Sequence, residues 1–231
     1  FDNGFSLSAT ATLADAVSTI TEYGQATDIN GWYNGKTYGE IWGFEVDRLY
    51  QNEDFARDAN GKLIEIKTED GYKAYQQVDP NAPTQGYLNS GSLIFGPGDV
   101  KYKDLNGDGV INKGTSSIRD AEGNPDHGDL TVIGNTTPRY EYSFRVDMEW
   151  HGVDLGIFFQ GVGKRDMWGS SSLTLPGFNS SDGSMAAAFA NDFWYETFDE
   201  SGNLIDSNYD AFYPRAANLG ASSTGFNMQV S

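Results

Sequence analysis

From Arg139 to Trp150 the chain alternates without a fault. Tyr140, Tyr142, Phe144, Val146, Met148 and Trp150 take the even positions, and Arg139, Glu141, Ser143, Arg145, Asp147 and Glu149 the odd ones. A period of two places the two sets on opposite faces of a strand. His151-Gly152 then fits a two-residue hairpin loop, because glycine accepts a positive φ freely and histidine tolerates one better than most residues. Such a loop pairs 150 with 153. Met148 then opposes Leu155, Val146 opposes Ile157 and Phe144 opposes Phe159, so the apolar faces of strands 139–150 and 153–165 match in register.

The first strand is slightly longer than the roughly 9–11 residues that cross a bilayer at a tilt. Its apolar face has Tyr140 and Tyr142 at one end, aliphatic side chains in the middle and Trp150 at the other, which is the aromatic-girdle order of an outer-membrane barrel. On that reading Tyr140, Tyr142, Phe144, Val146, Met148, Trp150, Val153, Leu155, Ile157 and Phe159 face lipid. A soluble β-sandwich would turn the same face into a core, and the hairpin by itself admits both.

Composition narrows the choice of partner. With 33 acidic against 15 basic residues the formal charge is -18, which argues against a nucleic-acid backbone as ligand, since phosphate contacts need Lys and Arg. An acidic surface suits divalent cations instead. The absence of cysteine removes disulfides, thiolate catalysis and cysteine-bound zinc. No apolar run approaches the ~18 residues of a transmembrane helix, so a membrane role requires a barrel. Abundant glycine and aromatic residues with few helical patterns point to an all-β chain.

Phe5 to Val17 alternates again, with Phe5, Leu7, Ala9, Ala11 and Leu13 on one face, and is expected to be a strand. Gly24 to Gly39 reads as an exposed irregular segment. Within and beyond it, Trp32, Tyr33 and Trp42 either form a sugar-stacking surface or pin the loop to its own scaffold. Tyr38 to Tyr50 suggests one or two short strands, and Lys62 to Thr68, bracketed by turns, suggests a solvated hairpin. Asp199 to Asp206 repeats the D-x-x-G-x-L-I-acid order of Asp58 to Glu65, as shared turn chemistry. Asp79 to Asp99 reads as loop, and a short helix is expected over 185–193. Barrel strands are joined by short periplasmic turns and longer outer loops. The turn at 151–152 is therefore expected on the periplasmic side, with extracellular loops near 18–138 and 166–231.

Asp104-Leu105-Asn106-Gly107-Asp108-Gly109-Val110-Ile111-Asn112 matches the first nine positions of a calcium loop. Asp104, Asn106 and Asp108 supply side-chain oxygens, Val110 a carbonyl and Asn112 the ninth position. The usual twelfth-position Glu is replaced by Thr115, and Asp129, with Asp120, Glu122 and Asp126 as alternatives, is expected to close the site from farther along. Such a Ca2+ ion would be structural. No enzyme is expected: His127 and His151 lack zinc-ligand spacing, and there is no nucleophile elbow, P-loop or dinucleotide fingerprint. Arg145, Asp147, Glu141, Glu149 and Gln160 would line a polar lumen or bridge one another on a solvated face. No residue can be assigned to a substrate.

Several runs resemble, in the same order, the SusC/RagA family of TonB-dependent transporters. They are Tyr38 to Phe44 (YGEIWGF), Gly98 to Asn112 (GDVKYKDLNGDGVIN), Asp129 to Asn135 (DLTVIGN), Pro138-Arg139-Tyr140, Phe158 to Gly163 (FFQGVG) and Tyr213-Pro214-Arg215. The resemblance implies a large antiparallel transmembrane β-barrel with long extracellular loops, in the outer membrane of a Gram-negative, Bacteroidetes-like cell. It implies import of oligosaccharides or peptides, energy from TonB, and a SusD-like surface lipoprotein as lid. Two departures stand out. Lys113 to Gly128 separate the acidic loop from the Asp129 run, with Leu130 where the family has Arg. The plug domain and the segment that contacts TonB are absent, so the residues are expected to be a piece of a longer barrel. A soluble, calcium-stabilised β-sandwich that binds glycans at the cell surface is the alternative.

Overall fold

The computed structural model describes residues 4–89, 93–169, 187 and 191–216. It is all-β, with small antiparallel sheets and two single-turn 3₁₀ helices at Asn52–Asp54 and Gly86–Leu88. The helix expected over 185–193 lies largely outside the described residues. The chain divides into two compact units. One comprises Phe1–Trp42, Ala121–Asn124 and Val132–Trp168, the other Gly43–Asp120, Pro125–Thr131 and Gly169–Ser231.

The first unit is organised by a three-stranded antiparallel sheet. In chain order its strands are β1 (Phe5–Ala14), β8 (Arg139–Trp150) and β9 (Val153–Lys164), with β8 in the middle. The hairpin register is the expected one: Trp150 opposes Val153, Met148 opposes Leu155, Val146 opposes Ile157 and Phe144 opposes Phe159. His151 and Gly152 both take positive φ, 49° and 82°, the backbone hand of the turn that matches strand twist. Strand β1 adds to the other edge of β8 with Leu7 opposite Met148, Ala9 opposite Val146 and Leu13 opposite Tyr142. It stops at Ala14, three residues short of the expected end.

The apolar face continues across all three strands, because each pairing matches like with like. Where the strand presents Gly161 and Gly163, the rings fill the gap. A Cβ at Gly161 would collide with the Tyr142 ring, and one at Gly163 would come within 3.0 Å of the Tyr140 Cβ. Aromatic cover of strand glycines is a known way to hold a sheet together at such positions.

The second unit is built from short strands that share a core. Strands β3 (Val46–Leu49) and β6 (Val100–Tyr102) pair, as do β4 (Glu65–Lys67) with β5 (Lys73–Tyr75), and β10 (Tyr195–Phe198) with β11 (Leu204–Asn208). Strands β2 (Glu40–Phe44) and β7 (Leu130–Asn135), most of whose residues belong to the first unit, form a further pair. Much of the stretch expected as loop is therefore packed chain. Tyr50, Phe55, Leu93, Phe95, Val100, Ile111 and Trp194 are buried together, and the Tyr50 and Phe55 rings lie 4.9 Å apart. Burial of such side chains contributes roughly 1.5–3 kcal/mol each. Buried Gln85 acts as a missing strand neighbour: its amide donates to the Val100 carbonyl (3.0 Å) and accepts from the Tyr102 N–H (2.7 Å).

Two turns confirm the shared chemistry at Asp58 and Asp199. The Asp58 carboxylate accepts from the N–H groups of Asn60 and Lys62, and that of Asp199 from Ser201 and Asn203. Gly61 and Gly202 take φ of 78° and 82° at the same place in each turn. Asp and Gly are required there for different reasons, one as acceptor and one for left-handed backbone.

Candidate functional site

Neither face of the β1-β8-β9 sheet is covered among the described residues of its unit. Leu13, Trp150, Val153 and Phe159 are 73%, 57%, 69% and 61% exposed, whereas a core face would hide them. The opposite face carries Arg145 and Asp147 in a two-point ion pair, Nε to Oδ2 at 2.7 Å and the second nitrogen to Oδ1 at 2.8 Å. Mutual bridging therefore describes these two residues. At the end away from the turn, Arg139 is likewise paired with the Asp15 carboxylate.

The segment before β2 is held by two polar centres, half-buried Glu40 and buried Lys36. Glu40 accepts from the Tyr33 hydroxyl, from the Trp42 indole N–H (3.2 Å) and from the Thr37 N–H (2.6 Å). Burial, reinforced by the neighbouring Glu40 carboxylate, pushes the Tyr33 phenol well above its ordinary pKa, so it stays a hydrogen-bond donor. Lys36 is 7% exposed. Its ammonium donates to the carbonyls of Ile29 (2.9 Å), Asn30 (3.3 Å) and Gly31 (2.7 Å) and sits 5.1 Å from the Tyr33 ring centre. Burial lowers its pKa, opposed by the charges of Glu40 and Asp28. Of the three aromatics singled out from the sequence, Tyr33 and Trp42 thus fasten the loop to its scaffold. Trp32 instead stacks on Tyr38, with ring centres 5.9 Å apart and planes at 19°, and both rings are exposed.

Tyr38 also borders a cavity of about 70 Å³ with Ser18, Thr37, Asn135, Thr137, Arg139 and Lys164 around it. Its walls are tied together by hydrogen bonds to the Tyr38 and Gly39 carbonyls. The Tyr38 carbonyl accepts from Asn135 Nδ2 (3.1 Å) and Thr137 Oγ1 (2.9 Å), and the Gly39 carbonyl from the Thr136 N–H (2.8 Å). Gly39 has φ of 88°, and a Cβ there would overlap Thr137 and Asn135. Tyr38-Gly39 and Asn135, from two of the runs that carry the resemblance, therefore meet in space.

The acidic loop is closed by its own side chains. Asp104 accepts from the N–H groups of Gly107 (2.6 Å) and Gly109 (2.9 Å), Asn106 from Asp108, and Asp108 from Val110. Asn112 donates its amide to the Val110 carbonyl and accepts from Gly114. Asp129 is fully buried. It accepts from Leu105 (2.8 Å) and Asn106 (3.4 Å) through one oxygen and from Asn112 (2.8 Å) through the other, which fastens both ends of the loop. Among the described residues no group of three or more His, Cys, Asp or Glu side chains converges as metal ligands. The donor chemistry of Asp104, Asn106, Asp108 and the Val110 carbonyl nevertheless fits a hard cation, because a carboxylate oxygen that accepts one N–H keeps a second lone pair.

Sequence reasoning did not single out Glu40 or Lys36. The available signal was a lone Lys and a lone Glu within a Gly-, Asn- and aromatic-rich segment, where the Lys turns to backbone carbonyls and the Glu to aromatic O–H and N–H donors. No family model matches the chain, and no curated protein matches it.

Proposed function

We propose that the chain is part of an outer-membrane β-barrel importer of the SusC/RagA type, contributing three membrane-crossing strands and large outer excursions. One observation carries the reading. Strands β1 and β8 are direct antiparallel neighbours although residues 15–138 lie between them, while β8 and β9 are joined by only two residues. Short connections at one end and long ones at the other are how such barrels are built. The exposed apolar face, ending in Tyr140 and Tyr142 on one side and Trp150 on the other, would meet lipid. The free edges of β1 and β9 would pair with further strands, since unpaired backbone is not tolerated in a bilayer. A soluble sandwich would require a second layer over that face.

On this reading the residues packed around Tyr50, Val100 and Trp194 stand at the cell surface, where a SusD-like lipoprotein would act as lid and an oligosaccharide or peptide would be captured. A Ca2+ ion held by Asp104, Asn106, Asp108 and Val110, beside Asn112 and Asp129, would stiffen the acidic loop. Movement of ligand would need a plug and TonB, neither of which these residues supply.

Fractionation tests the reading. The parent polypeptide is expected in the outer membrane, extracted by detergent only, with an intact mass well above 25.3 kDa and a lipoprotein co-purifying. A chain of this mass that stays in solution without detergent would exclude the importer.

A further inference from the structure

The cavity beside Tyr38 has a chemistry of its own. Register places Arg139 opposite Lys164 at the end of the sheet away from the turn, so two cations meet in a chain whose formal charge is -18. Their situations differ. Arg139 is neutralised by Asp15 through Nε and its second nitrogen. Lys164 is exposed and has no Asp or Glu oxygen within 4.0 Å among the described residues. Ser18, Thr37, Thr137 and Tyr38 line the same cavity, the Thr137 hydroxyl donating to the Tyr38 carbonyl.

We propose that this cavity binds an oxyanion substituent, a sulfate or carboxylate, on a sugar ring that packs against Tyr38. The site rests on the importer reading, and it narrows the cargo to acidic saccharides. The volume, about 70 Å³, holds several waters or one such group. Charge-assisted hydrogen bonds from an ammonium are the stronger kind, and the Ser18 and Thr37 hydroxyls can supply neutral donors without adding a counter-charge. Tyr38 offers an exposed ring whose back is supported by Trp32, which suits the apolar face of a pyranose. Arg139 lines the cavity as a positioning residue, held by Asp15.

The test is calorimetric titration of the detergent-purified full-length protein with a sulfated disaccharide and with the same disaccharide lacking sulfate. The sulfated sugar should bind more tightly, with affinity falling as salt is raised. Lys164→Gln should reduce the preference for the sulfated over the unsulfated sugar about tenfold, while Lys164→Arg should retain the preference. Tyr38→Ala should weaken both sugars. Circular dichroism of each variant controls for folding. Equal affinity for the two sugars, or a preference that survives Lys164→Gln, overturns the proposal. Inorganic sulfate binding as tightly as the sulfated sugar would also overturn it, by removing the saccharide. Failure of the importer reading shows separately, as solubility without detergent in the same preparation.

Discussion

The Arg215 guanidinium grips the Asp99 carboxylate at two points, Nε to Oδ1 at 2.9 Å and the second nitrogen to Oδ2 at 2.8 Å, across 116 residues of chain. Asp99 is fully buried while Arg215 is about one-third exposed. The same carboxylate accepts from the Gly96 N–H (2.8 Å), and the Arg215 N–H donates to the Gly98 carbonyl (2.7 Å). The pair therefore ties the chain around Tyr213-Pro214-Arg215 to the strand β6 region. Arg215→Ala leaves a buried charge without its counter-ion and is expected to cost on the order of 3 kcal/mol, read as a lower denaturant midpoint. Arg215→Lys should recover only part of it, because an ammonium cannot reproduce the two-point fork.

Gly98 should be less tolerant than its size suggests. It takes φ of 82°, and a Cβ would run into the Trp194 ring. Gly98→Ala combines left-handed strain with overpacking and is expected to cost about 2–4 kcal/mol. Trp194 fluorescence during urea unfolding should report it as a shifted midpoint.

Lys36 holds its loop together by filling a cage of carbonyls. Lys36→Met keeps most of the stem's volume but leaves the Ile29, Asn30 and Gly31 carbonyls without their shared donor. The expected result is local loosening, at roughly 1–3 kcal/mol in total because the carbonyls are only half-buried. Limited proteolysis should cut within residues 27–37 in the variant much faster than in the parent protein. An unchanged cutting pattern would show that the cage is not what orders the loop.

The matched turns make an acid-pH prediction. Hydrogen bonds from Lys62 and Asn60 hold Asp58 below the usual carboxylate pKa, and those from Asn203 do the same for Asp199. A carboxylate depressed on folding contributes stability above its unfolded pKa, about 3.9, and loses it as pH falls through the lower folded value. Asp58→Ala and Asp199→Ala should therefore lower Tm at pH 7, and the gap to the parent protein should narrow below about pH 4. The Asn variants, which keep an acceptor oxygen, should retain more of the turn while losing this pH dependence.

Calcium binding makes a prediction of its own. At about 100 times Kd a bound ion stabilises by about 2.7 kcal/mol, so added Ca2+ should raise Tm and a chelator should lower it. Asp108→Ala should abolish the response with a modest loss of basal stability, since Asp108 bonds only to Asn106 and Val110 within the loop. Asp129→Ala should destabilise with or without Ca2+, because it frees three buried or half-buried N–H groups.

Local rules determined the β8-β9 hairpin and the strand character of β1, while the pairing of β1 with β8 across residues 15–138 came from the tertiary structure. Alternation from Arg139 to Trp150, a His-Gly turn and matched apolar faces fix the register of the hairpin, because a slip by one residue would move every side chain to the other face. The Asp58 and Asp199 turns were legible for a similar reason: acceptor and glycine act within five residues. What tertiary structure alone decided is long-range. Strands of three to five residues carry too little periodicity to announce a core, so the burial of Tyr50, Val100, Ile111 and Trp194 together could not be read from spacing. Nor could the partners of Asp99, Glu40 and Lys36, since a buried charge is satisfied by whatever the fold brings within hydrogen-bonding distance. Asp129 shows the division within one residue. Its link to the acidic loop was evident in the order of the chain, but its work on the Leu105, Asn106 and Asn112 amides follows from where the folded backbone places them.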